Sequence, residues 1–347
     1  MKKSTLINIL GIILLVLIII GLIIFWASSS SNTTSVSPVI ENPQFTGSFN
    51  NTLTVMTYNI GYASGLKNNL GNVLKKDEIY TNLDKIVAVI KKNKVDILAT
   101  QEIDFHSRRS HYINQLEYIA QKSEFKYTAY IINWDKKYVP YPVDLSFSKH
   151  FGHVESGQAV LSRYPILENK CYFLKEPINK PFWYNMFYIK RAVQCVKIKI
   201  TDTKIIDLYN VHLEAYHTPT RELQVDQLLD IKSRNNFISG IIAGDFNALP
   251  PEATKKYGFI DEPEIDFRND TTIKKMYEQS NLKEIISQEL YRSEEKSTFT
   301  FPSNNPTRRL DYIFYSDDFV LQKWLIDKTA LTGSDHLPVI AVFKIEK

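Results

Sequence analysis

The strongest constraint on the fold lies at the N-terminus, where residues 6–27 read LINILGIILLVLIIIGLIIFWA without a charged side chain. About 20 apolar residues suffice for a helix to cross a bilayer, whereas the apolar part of a secretory signal usually has about 7–15. No polar face interrupts the run, which argues against a buried helix of a globular domain. We therefore predict a transmembrane signal-anchor over residues 6–27, with cleavage near the small residues Ala27 and Ser29 as the alternative.

The residues on either side of this run predict its orientation and a linker after it. Lys2 and Lys3, in the short N-terminus of residues 1–5, favour a cytoplasmic start, so that everything after residue 27 lies outside the cytoplasm. Residues 28–50 are rich in Ser and Thr and interrupted by Pro, which predicts a flexible linker with a reach of about 25–30 Å. Residues 51–347 show neither a repeat nor an inner linker, and we interpret them as one domain. The predicted protein is single-pass with an extracytoplasmic domain, or secreted if the N-terminal segment is cleaved.

Composition excludes several classes of protein. With 347 residues, 44% of them hydrophobic, the chain can bury a large core. The net charge of +4 is too small for a dedicated nucleic-acid-binding protein. Two cysteines, Cys171 and Cys195, exclude a disulfide framework and a cysteine zinc cluster. Two unrelated buried thiols are favoured over a bridge between them, which would need an oxidising compartment.

Strand-like and helix-like segments are mixed from residue 52 onward. The segment DEIYTNLDKIVAVIKKNK places apolar residues at helical spacing, and PTRELQVDQLLDIKSRN is a further helix. Several apolar runs predict strands that follow one another without a helix, which makes them antiparallel neighbours. We therefore predict an α/β fold of two packed mixed β-sheets flanked by helices. Residues 133–157 form a long irregular stretch in this interpretation, aromatic and basic, which we expect to be functional.

Polar residues recur where the predicted strands stop. Each of them alone is a weak signal, because short polar residues also cap strands and shape turns. Together they supply acids, amides and two imidazoles at one kind of position, and the strand ends of α/β sheets are where ligand sites form. The set comprises Asn59, Glu102, His212, Asp245, Asn247, Asp311, Asp335 and His336.

This inventory fits the hydrolysis of a phosphate ester assisted by Mg²⁺. Such a reaction needs oxygen ligands for a divalent cation, a base beside the attacking water, and donors for the phosphoryl oxygens. Carboxylates suit Mg²⁺, with Mn²⁺ as the alternative metal, and a histidine oriented by a carboxylate can act as the base. The sequence has no Gly-rich phosphate loop, no GxSxG elbow and no HExxH zinc helix.

The ordered motifs TYNIG, QEID, NVHLEAY, GDFNALP, RRLDYIFYS and GSDHLP resemble those of the endonuclease/exonuclease/phosphatase superfamily, which includes DNase I-like nucleases and bacterial sphingomyelinases. The resemblance covers nearly all of residues 52–347. It implies a four-layer α/β sandwich, preceded here by the transmembrane helix, and a divalent metal that is normally Mg²⁺. It also implies Glu102 as the main metal ligand, with Asn59 and Asp335 close to the metal or its waters.

The same resemblance assigns catalytic roles to the remaining positions. It implies His336 as the base that acts on the nucleophilic water, oriented by Asp311. It implies that His212 stabilises or protonates the phosphoryl and leaving oxygens, and that Asp245 and Asn247 position the nucleophile and the phosphate. Every expected catalytic position is filled, which argues against the alternative of an inactive binding module.

Two segments are expected to select the substrate, namely residues 133–157 and the stretch KPFWYNMFYIKR over residues 180–191. The aromatic side chains of the second segment form either a lipid-facing patch or ordinary packing. Arg191, at its end, resembles an arginine that some family members use against phosphate, with a surface arginine as an equal alternative.

The leading functional hypothesis is a membrane-anchored, Mg²⁺-dependent phosphodiesterase or phosphatase that acts on a phospholipid or sphingolipid head group. The anchor and the aromatic and basic segments motivate it. The expected partners are this phosphorylated substrate and the membrane, and the expected state is a monomer. The alternative is an extracytoplasmic nuclease, whose cleft would be flanked by basic residues, namely Lys136, Lys137, Lys149, Lys190, Arg308 and Arg309.

Overall fold

A computed structural model describes residues 3–46, 51–67, 73–143, 146–178, 180–330 and 332–345 of the chain. Residues 1–2 of the predicted cytoplasmic N-terminus, residues 47–50 of the predicted linker, and residues 346–347 lie outside this description. The helices are α1 (Lys3–Ser28), α2 (Lys76–Lys92), α3 (Gln115–Ser123), α4 (Phe182–Phe187), α5 (Thr218–Arg234), α6 (Thr272–Gln279) and α7 (Gln288–Glu294). The strands are β1 (Ile40–Glu41), β2 (Thr52–Asn59), β3 (Ile97–Asp104), β4 (Tyr127–Val139), β5 (Gly152–Ser162), β6 (Ile166–Phe173), β7 (Ala192–Lys199), β8 (Ile205–His212), β9 (Gly240–Asp245), β10 (Lys283–Glu284), β11 (Asp311–Tyr315), β12 (Val320–Ile326) and β13 (Val339–Lys344).

The strands form two mixed sheets that pack face to face. The seven-stranded sheet has the order β1-β4-β5-β3-β2-β13-β12, and the six-stranded sheet has the order β10-β11-β9-β8-β7-β6. The pairs β2–β3 and β8–β9 are parallel, while the other strand pairs described are antiparallel. Apolar side chains from both sheets, such as Leu98 and Ile241, share one buried cluster between them. The predicted fold class is confirmed.

Helices cover the outer face of each sheet and complete four layers. In α2 the residues at the predicted helical spacing are buried, among them Leu83 and Ile86, and they join the core of the first sheet. On the other side, Leu228 of α5 and Met276 of α6 pack with Tyr209 of the second sheet. In α2 and α6 the apolar periodicity decides which face the helix turns to its sheet.

A buried amide network joins the two sheets close to the strand ends. Gln101 of β3 donates from Nε2 to Oδ1 of Asn210 in β8 at 2.6 Å, and Gln158 of β5 donates to the Asn210 carbonyl at 2.9 Å. The Asn210 amide in turn donates to the carbonyls of Thr100 and Ala159. All three amide side chains are fully buried, and paired polar groups of this kind fix one relative position of the packed elements.

The interpretation of residues 133–157 as irregular is wrong. β4 runs to Val139 and β5 begins at Gly152, so that the two strands form a long hairpin whose connection is residues 140–151. The apolar positions of the hairpin are sparse and are interrupted by Lys136 and Lys137, which hides the strand pattern. Trp134, Val139 and Val154 nevertheless pack together as a small cluster of their own.

The N-terminal helix continues into a segment that lies against the two-sheet domain. Within the described part of the chain, α1 is the one helix long and apolar enough to cross a membrane, a test that a signal sequence also passes. Residues 29–42, predicted as part of a flexible linker, run along β4 instead, and Ile40 and Glu41 pair with it as β1. β4 would otherwise be an edge strand with unpaired backbone groups, and this segment covers them.

Candidate active site

The strand ends bring five of the predicted residues to one edge of the sandwich. In the second sheet, His212 at the end of β8 lies opposite Asp245 of β9, and Asp245 lies opposite Asp311 of β11. In the first sheet, Asn59 ends β2, and Glu102 lies near the end of β3 where its pairing with β5 shifts. Glu102 has a φ of 52°, an uncommon conformation for a non-glycine residue that recurs at functional sites.

A loop before β13 adds the remaining acid and imidazole. Nδ1 of His336 lies 2.9 Å from Oδ2 of Asp311, and the imidazole ring packs on Phe301 at a centroid distance of 4.7 Å. Ser334 ties this loop to β2 by donating to the carbonyl of Asn59 at 2.7 Å. Asp335 is buried beside it and lines a cavity together with Glu102, Asp245 and His336.

Asp245 lies at the centre of the group. Its Oδ2 accepts a hydrogen bond from Nδ2 of Asn59 at 3.0 Å and lies 3.7 Å from Nε2 of both His212 and His336. The backbone N–H of Asn247 donates to Oδ1 of Asp245 at 2.9 Å, while the Asn247 side chain donates to the carbonyl of Leu213. The structure thus brings together the residues that the strand-end pattern singled out.

Burial and charge give the two histidines opposite protonation tendencies. Burial alone would lower the pKa of His336, but the carboxylates of Asp311 and Asp245 outweigh it and raise that pKa. Burial, with the guanidinium of Arg191 and then His336, holds the pKa of His212 well below its usual range. Burial raises the pKa of Asp245 despite the nearby His336. His212 is therefore neutral at physiological pH, whereas His336 favours the charged form in the absence of another cation.

Arg191 lines the site and is not a surface arginine. Its side chain is buried, and Nη1 lies 2.7 Å from Nε2 of His212, where an unprotonated ring nitrogen accepts the hydrogen bond. Its Nε lies 3.9 Å from Oε2 of Glu214, which also accepts a hydrogen bond from the hydroxyl of Tyr188. That Nε has no hydrogen-bond partner among the described residues. Arg191 lines the cavity, and a guanidinium in a cavity wall suits the recognition of a phosphate oxygen.

The donor set fits a divalent cation that prefers oxygen ligands. Glu102 and Asp335 line the same cavity. The Glu102 side chain is 16% exposed, so the Glu102 carboxylate is accessible from the cavity. Asn59 is fully buried, and its Oδ1 already accepts a hydrogen bond from the N–H of Gly61 at 3.0 Å. Mg²⁺ takes only one or two carboxylates from protein and keeps waters, so this arrangement accommodates it.

A second set of possible ligand atoms lies at the same edge. Among the described residues, oxygen and nitrogen atoms of Asp245, Asp311 and His336 lie within 4.8 Å of one another. This set differs from the predicted ligands. Because Asp311 and His336 already bond each other, we interpret it as the acid–base part of the site and not as the cation's first ligands.

A cavity of about 500 Å³ is lined by Glu102, His212, Asp245, Asn247, Asp335 and His336. Its walls are aromatic, and sequence analysis anticipated those from residues 133–157 and 180–191 but not Tyr62, Tyr216 or Phe301. Arg109 was not anticipated: it stacks 3.5 Å from the ring centre of Tyr62 and donates to Asp104, which steadies that wall. The aromatic lining comprises Tyr62, Trp134, Tyr141, Phe151, Trp183, Tyr184, Phe187, Tyr188, Tyr216 and Phe301.

The aromatic side chains of residues 180–191 divide between a surface patch and ordinary packing. Phe182 and Trp183 are exposed, which fits a surface patch. Tyr188 is buried, and Phe187 is half-buried with its carbonyl accepting a hydrogen bond from Nε1 of Trp134 at 3.1 Å. The first residues of the segment are therefore exposed at the surface, whereas Phe187 and Tyr188 pack against the domain.

Comparisons with known proteins agree with this geometry. A sequence model of the endonuclease/exonuclease/phosphatase family matches residues 56–336. An inositol phosphosphingolipids phospholipase C of Schizosaccharomyces pombe is 27% identical over 130 residues, which cover 33% of this chain and 30% of that protein. The chain thus matches less than a third of the length of this relative.

Solved structures share the fold at low sequence identity. An endonuclease/exonuclease/phosphatase from Beutenbergia cavernae superposes with a TM-score of 0.60 and 19% identity, covering 85% of this chain and 72% of that one. A mannosyl-6-phosphatase from Bacteroides thetaiotaomicron superposes with a TM-score of 0.53 and 20% identity, covering 83% of this chain and 98% of that one. At such identities the likeness establishes the fold alone.

Proposed function

The chain belongs to the endonuclease/exonuclease/phosphatase family of metal-dependent phosphoric ester hydrolases, and we propose that it hydrolyses a phosphodiester in a phospholipid or sphingolipid head group. We propose Mg²⁺ as its metal, with Mn²⁺ as the alternative. The observation that carries the proposal is the cavity of about 500 Å³ with aromatic walls that opens directly onto the acid and histidine cluster.

The chain's own residues supply the acid–base chemistry in this proposal. Nε2 of His336 takes a proton from the attacking water while Asp311 holds the ring in place through Nδ1. The pKa of His336 is raised by its two carboxylate neighbours, and positive charge near Glu102 would lower it again, which frees Nε2 to accept the proton. Asp245 and Asn247 position the water and the phosphate.

The other side of the phosphate meets His212 and Arg191. A neutral His212 accepts a hydrogen bond from Arg191 at Nε2 and so orients that guanidinium, which stabilises the negative charge that develops on the phosphate. Glu102 and Asp335 would hold the cation, with Asn59 close to it or to its waters. When bound, a divalent cation polarises a phosphoryl oxygen and makes water a better nucleophile at neutral pH.

The walls of the cavity support a head group over nucleic acid. A nuclease would need accessible basic side chains along its cleft. Arg308 is buried and paired with Asp261 at 2.7 Å, and Arg309 is buried and paired with Glu284, so neither is available to a phosphate backbone. The phospholipase C from Schizosaccharomyces pombe acts on inositol phosphosphingolipids by its name, which supports a lipid substrate here.

We also propose the organisation predicted from the sequence. Residues 1–5 would lie in the cytoplasm, and residues 6–27 would cross the membrane. Residues 28–50 would connect this segment to the extracytoplasmic catalytic domain of residues 51–347. α1 supports this by its length and apolar composition. Cleavage of that segment would release the domain, and a monomer remains our expectation.

A substrate panel on the full chain in detergent micelles tests the proposal. The substrates are sphingomyelin, phosphoinositides, plasmid DNA and bis(p-nitrophenyl) phosphate, each with Mg²⁺, and Glu102→Gln serves as the inactive control. We expect one lipid class to be hydrolysed fastest, with the soluble diester slower and DNA slowest. Cleavage of DNA with the lipids untouched would establish the nuclease instead. No hydrolysis of any substrate would favour a binding module.

A further inference from the structure

The segment that follows α1 is paired to β4 of the domain. We propose that residues 29–41, which we call the strut, hold the domain on α1 in one orientation, with the mouth of the cavity turned toward the lipid head groups. The partner of that face is the bilayer that α1 crosses. This deepens the proposed function, since it states how a lipid would reach the site.

The strut contacts β4 directly after the end of α1. The carbonyl of Ser28, the last residue of α1, accepts a hydrogen bond from Nζ of Lys136 at 2.8 Å. The carbonyl of Ser29 accepts one from the N–H of Lys137 at 3.0 Å. The carboxylate of Asp135 then accepts from the backbone N–H of residues 31 and 32 at 2.9 and 2.7 Å. Contact with β4 therefore begins at the residue where the helix ends.

Further along, the strut remains paired to the same strand. The N–H of Ser37 donates to the carbonyl of Tyr130 at 3.0 Å, and Ile40 lies opposite Thr128 in the β1–β4 ladder. Pairing along both ends of a strand resists rotation in a way that a flexible linker of the same length does not. The domain is thus held at a defined angle to α1.

The strut lies beside one wall of the cavity. Ser30 and Asn32 border a small depression together with Lys136, Tyr188 and Lys190. Tyr188 also lines the large cavity. The strut and the substrate site therefore flank the same aromatic residue, so that the site would lie close to the membrane that α1 crosses.

Two segments at the mouth of the cavity expose apolar side chains. Tyr141 and Trp183 line the cavity, and the residues around them turn outward. Four of these outward residues are more than 70% exposed. We call these four residues, together with the exposed Trp183, the rim patch: Val143, Phe147, Ile178, Phe182 and Trp183.

The chemistry of the rim patch suits a head-group interface. Aromatic and aliphatic side chains grouped at a binding-site rim mark an interaction surface, whereas single exposed apolar residues elsewhere need no explanation. Trp is enriched where membrane meets water, and Lys180 lies beside the patch with Nζ 5.4 Å from the ring centre of Tyr184. Basic side chains add attraction to anionic lipids.

Collisional quenching on the full chain in vesicles tests the orientation without any substrate. An environment-sensitive fluorophore is attached to Phe182→Cys or, as the matched control, to Ile238→Cys, in phosphatidylcholine vesicles that contain spin-labelled phosphatidylcholine. Ile238 is 83% exposed and precedes β9, so it lies at the end of that strand away from Asp245. Wild type treated with the same fluorophore measures labelling of the native cysteines. This labelling should be low because burial raises the pKa of the Cys171 thiol to about 12 and also raises that of Cys195.

We expect the probe at Phe182 to be quenched at least about threefold more strongly, because opposite ends of a domain of this size lie about 40 Å apart. Asp135→Ala, verified as folded by circular dichroism, should reduce that difference by freeing the strut. Equal quenching at the two positions, or none at either, would refute the orientation. An unchanged difference in Asp135→Ala would refute the strut as its cause. A substrate panel without lipid hydrolysis, combined with strong quenching at Phe182, would reject the proposed function alone.

Discussion

The role of Asp311 as the residue that orients His336 leads to a prediction with a defined size. Asp311→Asn keeps the side-chain volume and removes the charge. In the structure Oδ2 of Asp311 lies 2.9 Å from Nδ1 of His336, and its Oδ1 has no hydrogen-bond partner among the described residues. The change therefore acts on one side-chain hydrogen bond and on the negative charge that raises the pKa of His336. A hydrogen bond to a charged group contributes about 1.5–3 kcal/mol, which corresponds to about 10- to 150-fold in rate.

The assay is steady-state hydrolysis of bis(p-nitrophenyl) phosphate by the full chain in detergent with saturating Mg²⁺. We expect kcat to fall within that range with KM little changed, because the bond serves the transition state more than substrate binding. Asp207→Asn is the matched control: Asp207 lies on β8 away from the site, where it pairs with Lys197 at 3.0 Å. A kcat for Asp311→Asn equal to that of the control would refute the assignment of His336 as an oriented base.

Three further substitutions test other parts of the structure. Arg191→Lys keeps the charge but loses the planar fork, so kcat/KM should fall about 10- to 100-fold, and wild-type kinetics would exclude a phosphate contact. Burial alone would raise the pKa of Asp327, but hydrogen bonds led by that from Asn93 lower it to about 2, below its usual 3.8. The ionised Asp327 carboxylate therefore contributes about 2 kcal/mol to the free energy of unfolding above pH 4, and this contribution is lost as the pH falls toward 2. The difference in unfolding free energy between wild type and Asp327→Asn should close over that range. Gly157→Ala would drive its methyl group into the carbonyl oxygen of Ile131, so urea unfolding should show a loss of about 1–3 kcal/mol, and an unchanged midpoint would contradict the close approach of β4 and β5.

The strand-end residues could be predicted because strand ends in one sheet share an edge. Asp245 and Asp311 adjoin apolar runs that are fully buried on both sides, and such runs are easy to recognise. Their exact contacts, such as the approach of His336 to Asp311, depend on the loop before β13 and not on local pattern.

Sequence analysis did not predict the edge strands β6 and β12, and the reason is physical. β6 and β12 lie at the ends of their sheets and are largely half-buried or exposed, so they carry weak apolar alternation. The strut was not predicted for a similar reason, since its polar residues resemble a linker until β4 offers them partners.

The walls of the cavity depend on contacts between residues far apart in sequence. Arg109 stacks on Tyr62 and lies 4.8 Å from the ring centre of Trp134, and these three residues share no local motif. The reaction was therefore accessible from sequence, whereas the shape of the substrate site was not.

The most direct test of the account is a Mg²⁺ titration of the EDTA-treated full chain, with hydrolysis of bis(p-nitrophenyl) phosphate as the readout. We predict no turnover without metal and full recovery on adding Mg²⁺. For Glu102→Gln we predict a loss of at least about 10-fold in Mg²⁺ affinity or in turnover, because a carboxylate ligand is replaced by a neutral amide. Undiminished hydrolysis after exhaustive chelation, or wild-type Mg²⁺ dependence in Glu102→Gln, would contradict the account.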